Sequence, residues 1–160
     1  MLTQAQLMDV LDYDPGTGEF TWLVKPSPRV AQGSRAGATS IRGCRYIKIN
    51  HKSYLAHRLA WLYVYGHFPE MDLDFRNRDM LDTRIDNLRE ATKAQNAFNS
   101  GTRRPGKLKG AYWHKRSKRW AAAIYLRGRH LWLGFFGTEK EAHAAYCKAA
   151  RKHHGEFYAG

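Results

Sequence analysis

Between residues 72 and 99 the chain gathers Asp72, Asp74, Asp79, Asp82 and Asp86 with Asn77, Asn87, Asn96 and Asn99. Carboxylate and amide oxygens of this kind suit a hard divalent cation, Mg²⁺ or Mn²⁺, better than a thiolate-loving one. Arg76, Arg78, Arg84 and Arg89 are interleaved with them and could hold phosphate oxygens. A solvated polar loop is the competing explanation on residue types alone. One position stands out. Chemistry of this kind needs a proton acceptor near the ion, and directly after Asp74 the chain has Phe75, which can accept none.

The elements that must position these residues follow from local pattern. Residues 1–54 read as strand-rich with frequent turns: DPGTGEFTWLV is a turn entering an apolar strand, and GCRYIKINHKSY alternates before a polar Asn50-His51 turn. Leu55, Leu59 and Leu62 then recur at helical spacing, with Gly66 as the C-cap. Thr92 is an N-cap for a short helix through Asn96. After a stretch rich in Gly, Pro and basic residues, strands are expected near 111–115, 119–126 and 130–136. Arg127-Gly128-Arg129 is the turn between the last two. Thr138 and Glu141 form a capping box, opening a helix with Ala142, Ala145, Tyr146, Ala149 and Ala150 on one face and Gly155 at its end. In the middle strand Trp120, Ala122, Ile124 and Leu126 share the side facing that helix. Arg119, Ala121, Ala123, Tyr125 and Arg127 share the other, and Leu131 and Leu133 are expected inward with His130 and Trp132 outward.

Charge separates the two halves. Of the net +13, residues 1–100 supply 13 Lys/Arg against 11 Asp/Glu, whereas residues 101–160 supply 14 against 3. So concentrated a positive field attracts a polyanion, with RNA left open beside DNA. No run is long and apolar enough to span a membrane, and the N-terminus lacks a signal-peptide pattern. Cys44 and Cys147 are far apart and form no CxxC pair, which argues against structural zinc and for a reducing cytosol.

Two family resemblances sharpen this picture. The stretch 110-GAYWHKRSKRWAAAIYLRGRHLWLGFFGTEKEAHAAYCKAARKHHGEF-157 resembles an AP2 DNA-binding domain in its Gly-aromatic start, W-A-A-x-I, W-L-G-x-F and T-x-x-E-A-x-x-A-Y motifs. That resemblance implies a three-stranded antiparallel sheet plus one helix, laid on duplex DNA. The expected contacts are Lys115, Arg116, Arg119, Tyr125, Arg127, His130 and Trp132, with Arg103 and Arg104 of the linker on phosphates. The pattern D-F-x-N-R-x-x-x-D-T-R-I-x-N-L-R-x-A-T-x-x-x-N over 74–96, preceded by A-H-R-L-A-W and by YDPGTGEFTW and RYIKI, resembles phage-type HNH homing endonucleases.

The second resemblance implies an α+β chain. Its expected parts are a strand-rich N-terminal region with a ββα-metal nuclease unit (1–98), a basic linker (99–109) and the AP2-like module (110–160). It also implies that Asp74 and Asn96 are the protein ligands of one Mg²⁺ or Mn²⁺, and that Asn87 orients a base at position 75. Arg76, Arg84 and Arg89 fall among the expected phosphate contacts. Where the family has its general-base histidine the chain has Phe75, and where many members have Asn it has Thr83. His57, in the A-H-R-L-A-W helix, is the nearest substitute base to weigh, with a structural or phosphate-contacting role as the plainer reading. The expected function is metal-dependent cleavage or nicking of duplex DNA at low or lost rate. The alternative is an inactive, sequence-specific DNA-binding protein derived from such an enzyme. A monomer in the cytoplasm of a bacterial or phage-infected cell is the expected setting.

Overall fold

The computed structural model describes residues 1–41, 43–100, 106–126 and 128–158. The chain separates into two compact units, Met1–Asn96 and Ala97–Gly160. Among the described residues there are four helices and four small antiparallel sheets, a mixed α/β architecture.

In the first unit, Thr3 opens a short helix, α1 (Gln4–Met8): its hydroxyl accepts from the Gln6 amide and the Gln6 side chain returns to the Thr3 amide. The strand-rich expectation for 1–54 missed this element. Five residues show no helical period, and only the Thr-x-x-Gln box announces it. β1 (Leu11–Asp14) and β2 (Glu19–Trp22) pair as a hairpin, with Leu11, Tyr13, Phe20 and Trp22 turned inward by strand alternation. β3 (Ala38–Thr39), β4 (Arg45–Ile49) and β5 (Lys52–Leu55) form a three-stranded sheet. Asn50 and His51 make the β4–β5 turn with positive φ of 48° and 64°, the geometry that a two-residue hairpin needs.

α2 (Ala56–Tyr65) follows at once and ends at Gly66, whose φ of 80° lets its N–H bond back to the Leu62 carbonyl. Its buried face carries Ala56, His57, Leu59, Ala60 and Leu62. Ala56, Leu59, Ala60 and Leu62 make one continuous core with Leu7, Leu11, Phe20 and Ile47, which also takes in Phe75 and Leu88. β6 (Asp72–Phe75) and β7 (Leu88–Ala91) form the last hairpin, and α3 (Lys93–Asn99) follows, capped by Thr92 through its Oγ1 on the Gln95 amide.

In the second unit, β8 (Ala111–His114), β9 (Arg119–Leu126) and β10 (Arg129–Phe136) form an antiparallel sheet with β9 at its centre. α4 (Glu139–His154) starts at the Thr138–Glu141 capping box and buries Ala142, Tyr146 and Ala150. Ile124 and Leu126 pack with Tyr146, Ala150 and Leu133, so the inward side of β9 is the one that alternation selects. Gly110 is fixed by close approach: a Cβ there would lie 2.0 Å from the Tyr146 ring, and its φ is 78°. Leu131 departs from the inward expectation. It pairs with Ile124 yet remains 44% exposed, since β10 is an edge strand.

Candidate nuclease site and nucleic-acid face

The β6–β7 register places Asp74 opposite Arg89 and Phe75 opposite Leu88. Successive residues of a strand project to opposite sides, so the two rows face different surroundings. On one side Arg89 Nε donates to Asp74 Oδ2 at 2.8 Å and Nη2 lies 2.6 Å from the same oxygen. Both side chains are buried, at 6% and 8% exposure. Arg89, expected among the phosphate contacts, is therefore a buried counter-ion rather than a solvent-facing cation.

On the other side Phe75 joins the core, its ring edge-on to His57 with centroids 5.0 Å apart and planes at 74°. His57 Nδ1 is buried without a hydrogen-bond partner. Burial, and after it the neighbouring Arg58 charge, pulls the His57 imidazole down from 6.5 to about 4, so the ring is neutral near pH 7. The structural reading of His57 holds in this respect: it is packed away from solvent.

The connection between the strands is tied together from within. Asn87 Oδ1 accepts from the Asn77 amide at 3.0 Å and Asn87 Nδ2 donates to the Asp82 carbonyl at 2.8 Å. The Arg76 amide also donates to the Asn87 carbonyl at 2.8 Å. Asn87 thus clamps the 76–82 loop, a job that the family-derived role of orienting a base does not include. Arg84, the second expected phosphate contact, is held on Asp82 through Nε and Nη2 at 2.8 and 2.7 Å. The same hydrogen bonds, ahead of those from Asn77, keep the Asp82 carboxyl below its ordinary range. Arg76 and Arg84 are both exposed, and Arg76 directly follows the end of β6.

Thr83 has its own structural task. It is 2% exposed, donates to the Gly18 carbonyl at 2.5 Å, and its own carbonyl accepts from the Tyr13 hydroxyl at 2.7 Å. Gly18 is required there: a Cβ would stand 2.5 Å from the Arg84 nitrogen. The first hairpin therefore buttresses the loop, a long-range contact that no local pattern announces.

Asn96 lies in α3 with its Oδ1 shielded from solvent. Asp74 and Asn96 offer hard oxygen donors of the kind that Mg²⁺ or Mn²⁺ takes, so the donor types fit such an ion. Arg89 on Asp74 is the feature that opposes it. Among the described residues, no group of three or more His, Cys, Asp or Glu is placed to hold a metal.

The outer face of the second unit is aromatic and basic. Ala121 lies between Tyr112 of β8 and Phe135 of β10, and Ala123 lies opposite Trp132. A register shift between Trp132 and Gly134 brings Trp132 and Phe135 to the same side, edge-on with centroids 4.8 Å apart. Strict alternation could not find Phe135 there; the glycine inside the strand was the available signal. Tyr125 stacks edge-on with His130 at 5.1 Å. Tyr112, Tyr125 and Trp132 are 45%, 53% and 47% exposed, and Lys115, Arg116 and Arg119 are exposed as well. Gly110, Tyr112, Ala123, His130 and Trp132 line an open notch in this face. Arg103, Arg104 and Arg127 lie outside the described residues.

Residues 54–98, which hold α2, the β6–β7 hairpin and α3 up to its last residue, match the family model described as HNH endonuclease. An HNH endonuclease domain therefore lies at 54–98, and DNA is the substrate that this family implies. No curated protein and no solved structure matches the chain. Among the described residues, no helix is long and apolar enough to cross a membrane.

Proposed function

We propose that the chain is a homing-type HNH endonuclease that nicks or cleaves duplex DNA slowly, with its second unit, AP2-like in sequence, as the DNA-reading module. The match of residues 54–98 to the HNH endonuclease model carries this reading. Asp74 and Asn96 are the residues that would hold a divalent ion, which supplies charge neutralisation at the scissile phosphate when bound. Asn87 fixes the loop that carries Arg76, which is exposed and on this reading meets a phosphate oxygen. Phe75 packs into the core and takes no proton. General-base assistance is commonly worth about 10²–10⁴ in rate, so its loss makes cutting slow.

The sheet face of the second unit supports the DNA-reading assignment through charge and chemistry. Aromatic rings with alanines between them present flat apolar contacts, and the surrounding cations neutralise phosphates. On this reading the chain works as a monomer on DNA in the cytoplasm of a bacterial or phage-infected cell.

A second reading, an inactive DNA-binding protein, is favoured by one observation. Both groups nearest the missing base, Phe75 and His57, are buried in the core. Incubation of supercoiled plasmid with the protein and Mg²⁺ or Mn²⁺ decides between them. Open circles that require the metal, and that disappear in Asp74→Ala and Asn96→Ala, support the enzyme. Their absence with intact DNA binding supports the second reading.

A further inference from the structure

We propose that Arg89 is the resident counter-cation of Asp74, and that a divalent ion reaches this carboxylate only by displacing the guanidinium. The proposal rests on the nuclease reading of residues 54–98 and specifies how metal access to that site is controlled. Register sets the pairing: Asp74 and Arg89 are direct cross-strand partners in the β6–β7 hairpin, so the backbone brings the two charges together. Burial gives the pairing its consequence. Both side chains are more than nine-tenths buried, and a carboxylate so placed needs a compensating cation.

The guanidinium meets that need with two nitrogens, at 2.8 and 2.6 Å, on the same oxygen Oδ2. A divalent ion seeks the same carboxylate and carries charge of the same sign. The two cannot share it closely in a poorly screened site, so metal binding requires the guanidinium to leave. The position is thus latched by the chain's own cation, and Arg89 sets the metal affinity rather than contacting the DNA backbone. The arginine fork matters beyond its charge. A lysine has a single ammonium on a flexible stem and holds a carboxylate less rigidly.

Mn²⁺ titration of the full chain tests this, with heat of binding and the electron paramagnetic signal of free Mn²⁺ as readouts. The proteins are wild type, Arg89→Met, Arg89→Lys, and Arg89→Met combined with Asp74→Asn. Arg89→Met is expected to bind Mn²⁺ at least roughly tenfold more tightly than wild type, because the buried carboxylate has lost its counter-ion. Adding Asp74→Asn should remove the gain, and Arg89→Lys should fall between. A folded Arg89→Met protein that binds no more tightly than wild type overturns the latch. If that variant does not fold, Arg89→Lys decides, and an affinity equal to wild type overturns it. Tight and equal binding by wild type and variants sinks the latch while leaving the metal-nuclease reading standing. Absence of Mn²⁺ binding in every variant sinks both.

Discussion

His57 and Phe75 meet edge to face in the core of the first unit, their ring centroids 5.0 Å apart, with His57 Nδ1 buried and unpartnered. The contact joins the second residue of α2 to the last residue of β6, and burial, ahead of the Arg58 charge, holds the imidazole neutral. Its proton balance makes stability depend on pH. The folded value is about 4 against 6.5 for the free side chain, so between these limits the unfolded chain binds the extra proton. Stability from this group is complete above pH 6.5 and is lost as pH falls toward 4, by up to about 3 kcal/mol. Urea unfolding at pH 7.5 and pH 4.5 checks it, with His57→Gln as the comparison. A wild type whose pH dependence matches that of the variant contradicts the burial argument.

The outer sheet face yields a binding prediction. Trp132→Ala and Arg119→Ala in the full chain should each weaken duplex binding by roughly 1–3 kcal/mol if their side chains reach base edges. Phe135→Ala belongs in the same set, because the register shift brings its ring beside Trp132. Affinity for all of them should fall steeply with salt, since phosphate neutralisation dominates. Fluorescence anisotropy with a labelled duplex over a salt series measures both effects. Unchanged binding by all three variants removes this face from the interface.

Gly110 offers a stability test of the second unit. Any side chain at this position runs into the Tyr146 ring, with a Cβ 2.0 Å from its nearest atom, and the φ of 78° is itself unfavourable for a residue with a Cβ. Gly110→Ala should therefore cost about 3 kcal/mol or more, from overpacking plus backbone strain. Thermal unfolding followed by tryptophan fluorescence reads it. A melting temperature equal to wild type contradicts the close approach.

Legibility in the sequence tracked how local each determinant is. The Thr138–Glu141 box, the Gly66 C-cap and the Asn50-His51 turn are written in adjacent residues, and each is where its pattern placed it. Ile124 and Leu126 fell inward by alternation alone. Phe135 did not, because one extra residue in a strand reverses every later side chain. The site shows the same division. Asp74 is marked by the resemblance to HNH endonucleases, but its partner Arg89, fifteen residues away, follows from hairpin register, and the Thr83–Gly18 contact spans sixty-five. Residue type cannot tell a buried arginine from a phosphate-binding one; burial decides that.

The last prediction concerns Phe75→His. The substitution places an imidazole one residue from Asp74 at the end of β6, where the turn at Arg76 begins. In the core the new ring would meet His57, which is neutral and has a nitrogen without a partner, so the two can share a hydrogen bond. That bond would fix one nitrogen, and the other takes a proton from water once the ring, at a position only 8% exposed as Phe75, opens to solvent. Metal-dependent nicking should rise by roughly 10²–10⁴, the usual worth of a general base. Thr83→Asn should not be added for further gain: Thr83 is 2% exposed and bonded to Gly18, so a larger side chain there loosens the loop that carries the site. Plasmid nicking rates for wild type, Phe75→His and Phe75→His with His57→Phe test each part. The double variant should lose much of the gain if His57 orients the new base. Equal nicking by wild type and Phe75→His would falsify the missing-base explanation. If neither protein nicks while both fold and bind DNA, the inactive DNA-binding reading prevails.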